Sequence, residues 1–380
     1  MRIAAITLSV LAGTAAYFGF APQQGSATEP ITGNWAIHVS DVAGRLQLLL
    51  ERSSGRHNMS YSSSDVPPSQ FVGLTQDQIN SPTGGVVRFR IAREAGLLEC
   101  EGFLKAGGGG GVFHFMADVT YIANMRSLGY ADLDTERVFA LSLHDVTTAF
   151  VKEMQSLGYG KGSYDQLIAM RIHGVTPQFV RETRSLGLNT DSVDELIAMR
   201  IHGVTPEFVR DMRSVGVNSN SIEQFVAMRI HGVSPEFVRE VKANGLGDQS
   251  IDKLVEMRIH GVTPEFIQQV KSMGYSQLTV DRLVEMQIHG VTADFVREVK
   301  AQGMGAQPID KLVEMRIHGV TPDFIREVKS LGYPQVNTDQ LVAMRIHGVT
   351  PEFIKSMSGH GLKDLSIDQL VSLKIHGIDR

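Results

Sequence analysis

The sequence predicts a two-part protein, a small antiparallel β meander or barrel over residues 30–115 followed by an α-solenoid of two-helix repeats over residues 116–380. Three observations predict it. The first is a histidine every 29 residues, in Ile-His-Gly, at His173, His202, His231, His260, His289, His318, His347 and His376, with His144 in phase one period earlier. A fixed period of about 20–50 residues marks a repeat architecture. The second is period-two alternation of apolar and polar residues between positions 30 and 115. The third is an uncharged, mostly apolar run from Ile3 to Phe20 that belongs to neither part.

That run follows Arg2 and is succeeded by small residues at Gly25 and Ala27, a −3/−1 cleavage pair, so residues 1–27 are expected to be a secretory signal peptide. The alternative is an uncleaved membrane anchor through residues 3–20, because roughly 18 apolar residues just span a bilayer. Either reading makes the protein exported, periplasmic or secreted. The single cysteine, Cys100, cannot form an internal disulfide and is expected to be a small buried hydrophobe. A net charge of −5, 42% hydrophobic content and no basic cluster describe an ordinary globular protein and speak against nucleic-acid binding.

In the β-rich segment Trp35, Ile37 and Val39 alternate with small or polar neighbours. Val87, Phe89 and Ile91 alternate with Arg88 and Arg90, Leu98 and Cys100 with Glu99 and Glu101, and Phe113 and Phe115 flank His114. Five or six short strands in succession imply an antiparallel meander, either a small barrel or a sandwich. The glycines from Gly107 to Gly111 are expected in a flexible hairpin turn, since a phosphate loop would need a following Lys-Ser/Thr and a helix. Gly33-Asn34-Trp35 resembles the GxW opening of lipocalin-type barrels, which implies a ligand cavity, although about 85 residues is short for eight strands.

One repeat, Gly261 to His289, explains the rest. Thr263 caps a helix that opens with Pro264 and Glu265, buries Phe266, Ile267, Val270 and Met273, and stops at Gly274. Thr279 caps a second helix whose expected buried stripe is Val280, Leu283, Val284 and Ile288, with Met286 at its flank. The second-helix cap is Asp134, Ser163, Ser192, Ser221, Ser250, Thr279, Pro308, Asn337 and Ser366 in successive copies, and only Pro308 cannot cap through its side chain. Every first helix carries an aromatic, from Tyr121 in the degenerate opening copy to Phe353 in the last. Helices of about ten residues are marginal alone and must be held by stacking.

The histidine row invites a metal reading. Two ligands on one zinc must nearly touch, whereas stacked helices lie about 8–10 Å apart, and no His-Glu pair starts an HExxH motif. The expected role is therefore structural: each histidine sits in the last turn, able to bond orphan carbonyls, with added charge under mild acid. The methionines at 170, 199, 228, 257, 286, 315 and 344 are expected at the core edge. No catalytic, cofactor or metal-binding residue is assigned, and the protein is expected not to be an enzyme. A hydrolase using Cys100, His114 or His144, and a ligand sensor built on the β domain, are the alternatives. Binding is expected in the loops that vary between copies, Gly160-Lys161-Gly162, Asn218-Ser219-Asn220 and Pro334-Gln335-Val336. The sequence stops four residues after His376 with no polar capping repeat, which predicts self-association through the C-terminal repeat end.

The stretches Ile201–Val209 and Ile259–Ile267, IHGVTPEFV and IHGVTPEFI, with following VKSLGY or VKANGL, resemble repeats in exported bacterial proteins and in the extracytoplasmic tails of some BlaR-type membrane peptidases. The resemblance covers residues 116–380. It implies a bacterial envelope setting and a docking or sensing role with protein partners. It brings no catalysis, because the peptidase motif and its membrane spans are missing from this sequence.

Overall fold

A computed structural model describes residues 30–41, 44–54, 57–159 and 163–378. The expected signal peptide 1–27, the anchor run 3–20 and the loop Gly160-Lys161-Gly162 lie outside the described residues. The chain divides into two compact bodies, Met1–Pro177 and Gln178–Arg380.

The N-terminal body holds six strands, β1 (Ile31–Val39), β2 (Leu46–Ser54), β3 (His57–Val66), β4 (Gly85–Arg93), β5 (Gly96–Lys105) and β6 (Gly108–Ala117), with a short helix α1 (Gln76–Asn80) between β3 and β4. They form one antiparallel sheet in the order β3-β2-β1-β6-β5-β4. Two meanders are thus joined through β1 and β6. The order ends on β3 and β4, so the sheet is open, and the barrel alternative is corrected. Alternation sends Trp35, Ile37, Leu48, Leu50, Phe89, Cys100, Phe113 and Phe115 to one buried face. The sheet curls over that face: Trp35 on β1 meets Phe89 on β4 edge-on, 5.0 Å between ring centroids, although β6 and β5 lie between them.

That curl corrects the reading of the glycine run. Gly107 lies in the β5–β6 turn as expected, with φ +84°, but Gly108 to Gly111 are the first four residues of β6, a central strand paired on both sides. The curl presses neighbouring strands and the indole together. A Cβ on Gly102 would lie 2.6 Å from Trp35 Cζ2, and one on Gly111 would collide with the Glu101 carbonyl. Trp35 occupies the space a side chain on Gly102 would fill, and its Nε1 donates to the Glu101 carbonyl oxygen at 3.2 Å.

The helices follow in pairs: α2 (Val119–Ser127), α3 (Thr135–Leu143), α4 (Thr148–Ser156) and α5 (Tyr164–Ile172) in the N-terminal body, with α6 (Pro177–Ser185) starting at the junction. The C-terminal body continues with α7 (Val193–Ile201), α8 (Pro206–Ser214), α9 (Ile222–Ile230), α10 (Pro235–Val241), α11 (Ile251–Ile259), α12 (Pro264–Ser272), α13 (Val280–Ile288), α14 (Ala293–Val299), α15 (Ile309–Ile317), α16 (Pro322–Ser330), α17 (Thr338–Ile346), α18 (Pro351–Gly359) and α19 (Ile367–Ile375). Odd-numbered helices pack on odd and even on even, α7 to α19 and α10 to α18 in sequence, so each repeat adds one helix to each of two layers.

In the N-terminal body the sheet and the first repeat share one core. Phe139 of α3 stacks on Phe113 and Phe115 at 5.7 and 5.0 Å, filling the apolar face where the GxW resemblance implied a ligand cavity. Glu94, at the β4–β5 turn, accepts from the backbone N–H and hydroxyl of Thr148, and Arg52 on β2 pairs with Glu136 on α3.

The capping signals act as expected. Ser192, Ser221, Ser250, Thr279, Asn337 and Ser366 each accept from the third backbone N–H of their helix, and Pro308 makes no side-chain cap. Two core assignments are corrected, and the first is Met273, the C-cap residue of α12, which is only half-buried. The second is Ile288, which is 55% exposed, whereas Met286 is fully buried. The helix closes in a Schellman turn, with Val291 N–H donating to the Met286 carbonyl at 2.7 Å and Gly290 N–H to Gln287 at 3.1 Å. That turn folds buried Val291 beneath Met286 into the place that simple periodicity gave to Ile288.

Candidate functional site

The residues singled out for chemistry do not converge. Cys100 lies on the buried face of β5 opposite Phe113, and burial pushes its thiol pKa up to about 12, the reverse of nucleophile activation. His114 is the neighbour of Phe113 on β6, so it points to the other, exposed face, opposite Glu99. There Arg88 pairs with Glu101 and Arg90 with Glu99, each at 3.0 Å, lining a shallow depression of about 450 Å³. His144 packs edge-on to Tyr61 of β3 at 5.5 Å, on the edge strand separated from β5 by β2, β1 and β6. Burial, and then the nearby Arg171, hold its pKa below the usual histidine value. Among the described residues no three His, Cys, Asp or Glu side chains are grouped to hold a metal ion.

The histidine row ends the second helices as expected, and what serves the open carbonyls differs from repeat to repeat. Each histidine from His202 to His376 is the C-cap residue of its second helix, with φ near −90° and ψ near 5–10° in the pattern of His202 (φ −92°, ψ 6°) and His289 (φ −94°, ψ 7°). Its backbone N–H closes the last helical bond. Side-chain capping is seen at His376, whose Nδ1 lies 2.8 Å from the Ser372 carbonyl. At three of the repeats between, the histidine carbonyl at the helix end is served from the next repeat. Arg258 Nε donates to the His231 carbonyl at 3.3 Å, Arg316 to His289 at 3.3 Å and Arg345 to His318 at 3.4 Å. Arg171 does the same to His144 in the N-terminal body, at 3.1 Å.

Arginines at this position also cover the aromatic of their own repeat, on the first helix that precedes them. Arg229 stands 4.2 Å above Phe208, Arg258 5.1 Å above Phe237, Arg316 5.0 Å above Phe295 and Arg345 5.1 Å above Phe324. The other layer has a parallel device: Arg213 donates to Leu186 O at 2.6 Å, Lys329 to Gln302 O at 2.6 Å, and Lys271 to Asn244 O. Each cation therefore neutralises the negative end of a helix one repeat back. These interrepeat clamps were not found from the sequence, although Arg at the same position in most repeats is a signal for them.

The surface left over is the candidate binding surface. In the variable loops Asn218, Asn220, Asp248, Ser276, Gln277, Pro334 and Gln335 are exposed. Val336, expected among them, is a correction: it is buried, packed beneath its loop. A second exposed set is apolar and constant. Ile172 in the N-terminal body and Ile201, Ile230, Ile259, Ile288, Ile317, Ile346 and Ile375 in the C-terminal body are 45–58% exposed, each the last helical residue before the histidine. The methionine row is buried throughout, Met199 to Met344, and leaves no Met-rich stripe for a ligand. No helix among the described residues is long and apolar enough to cross a membrane. No family model matches the chain, and no curated protein matches it.

Proposed function

We propose that this chain is an exported, non-enzymatic repeat protein of the bacterial envelope that mediates protein–protein interaction or scaffolding, with protein partners met by its repeat surface. The observation that carries the reading is a division of labour along the array. Apolar residues that recur from repeat to repeat are, with one exception, turned into the fold, and recurring Ser, Thr and Gly residues cap or end its helices, while Asn218, Asp248, Gln277 and Gln335, which differ between repeats, are exposed on the loops. A constant frame presenting variable polar loops suits recognition of another protein.

Export rests on the N-terminal apolar run and on the likeness of the repeats to those of exported bacterial proteins. The separation of Cys100, His114 and His144 supports a non-catalytic role, since a nucleophile and its base must lie within hydrogen-bond reach. In-cell cross-linking followed by mass spectrometry tests the reading. Cross-links from the repeat loops to other envelope proteins are expected. Recovery of links only within this chain, in cells that express it at its normal level, would overturn it.

A further inference from the structure

One recurring apolar residue escapes that division of labour. The seven isoleucines from Ile201 to Ile375 stand at 29-residue spacing in the C-terminal body, every one about half exposed. Nothing in the fold calls for isoleucine there. The helix end is closed behind it by the Val–Met pair of the Schellman turn, and the last turn of a helix favours lysine or arginine on electrostatic grounds. The helices that carry the row pack on one another in sequence, α7 on α9 through α17 on α19, so the isoleucines share one layer. The arginines beside them are turned back over the preceding aromatics, as Arg258 is over Phe237.

We propose that this row is a self-pairing surface, and that its occupant is the same row of a second copy of this chain. Two arguments select that occupant. The first is spacing. A surface of seven equal apolar rungs is fully covered only by a partner with the same spacing, and a second copy carries it by construction. Isologous pairing of one patch with itself is also the commonest symmetry of oligomers. The second is area. Half-exposed isoleucines offer on the order of 90 Å² each, about 600 Å² for the row, and a standard interface buries ~800 Å² per partner of which roughly 60% is apolar. The row supplies the apolar content of one such interface.

Seven rungs have a middle one, Ile288. When two rows pair in full register, Ile288 faces Ile288 whether they run parallel or antiparallel. The test uses the purified full chain carrying Ile288→Cys. Cys100 is only 3% exposed, so the introduced thiol is the reactive one. A short bismaleimide is expected to link two copies through position 288, and sedimentation velocity is expected to show a dimer of the unmodified protein. The double variant Ile259→Lys/Ile317→Lys should keep the wild-type circular dichroism and melting, because both positions are exposed, while its dimer dissociation constant rises at least roughly tenfold. A monomeric wild-type chain, no cross-link at position 288, or a dimer untouched by the lysines would each overturn the proposal, as would a monomer whose row is instead covered by an extended apolar peptide. The proposal does not rest on the loop-binding reading. A monomer that still cross-links to other envelope proteins would overturn the row and leave the loops standing.

Discussion

The guanidinium of Arg258 stands over the ring of Phe237, 5.1 Å from its centroid, joining the two helices of one repeat. The same side chain donates through Nε to the His231 carbonyl at 3.3 Å. One residue thus covers the aromatic that anchors the preceding first helix and serves the open end of the preceding second helix. Cation–π attraction of about 0.5–1 kcal/mol at an exposed site adds to the helix-end interaction. Because the bond to the His231 carbonyl joins neighbouring repeats only, it is a term in the coupling that makes the repeats cooperative.

Gln287 stands where the other repeats place a cation, and Phe266 is the ring it leaves uncovered. Gln287→Arg should restore the clamp and stabilise the protein by about 0.5–1 kcal/mol. Urea denaturation followed by far-ultraviolet circular dichroism measures it. An unchanged midpoint would mean that the clamp contributes nothing in this setting.

Phe237 is 5% exposed, so its removal should cost far more than that of its cover. Phe237→Ala should destabilise by about 3–5 kcal/mol, the range for a buried aromatic. Arg258→Ala, at an exposed position, should cost no more than about 1 kcal/mol. Equal costs in the same denaturation assay would contradict the packing hierarchy.

Trp35 is the sole tryptophan and sits against Gly102, so its fluorescence reports on the sheet. Gly102→Ala places a methyl group where the indole lies and should destabilise by about 1–3 kcal/mol through overpacking. A blue-shifted native spectrum moving toward that of exposed tryptophan at lower urea is expected. A variant as stable as wild type would show that the sheet can flatten to make room.

His144 gives the N-terminal body a pH dependence of defined sign. Its pKa is lowered in the fold by burial, then by Arg171, so between that value and the unfolded one of about 6.5 the unfolded chain binds the extra proton. Stability from this group is full above pH ~6.5 and falls as the pH drops below it. The melting temperature should therefore fall between pH 7.5 and 5.5, and His144→Gln should flatten that slope. A slope unchanged in the variant would assign it to other groups.

Excision of the repeat from Gly261 to His289 joins His260 to Gly290 and recreates the Ile-His-Gly sequence. Since repeats touch neighbours alone, the shortened chain should keep its helical signal per residue and melt cooperatively. Loss of that signal would contradict the stacked-repeat architecture.

Much of this was legible along the chain. The 29-residue period, the Thr-Pro-Glu starts, the Ser and Thr caps and the glycine stops determined two helices per repeat, because capping and left-handed glycines are local chemistry. Alternation likewise determined which faces of the strands are apolar, since period two is a property of the backbone. Tertiary structure decided what depends on residues distant in sequence. Whether Gly108 to Gly111 turn or run straight was settled by Trp35 and the carbonyls of β5 crowding them. Whether Ile288 or Met286 enters the core was settled by Val291 folding back beneath the helix end. Which side chain serves each helix end was settled 27 residues downstream, where Arg258 reaches the His231 carbonyl. Local signals determine where an element begins and stops. Which of its faces is buried, and what covers its ends, is set by the neighbours that stack upon it.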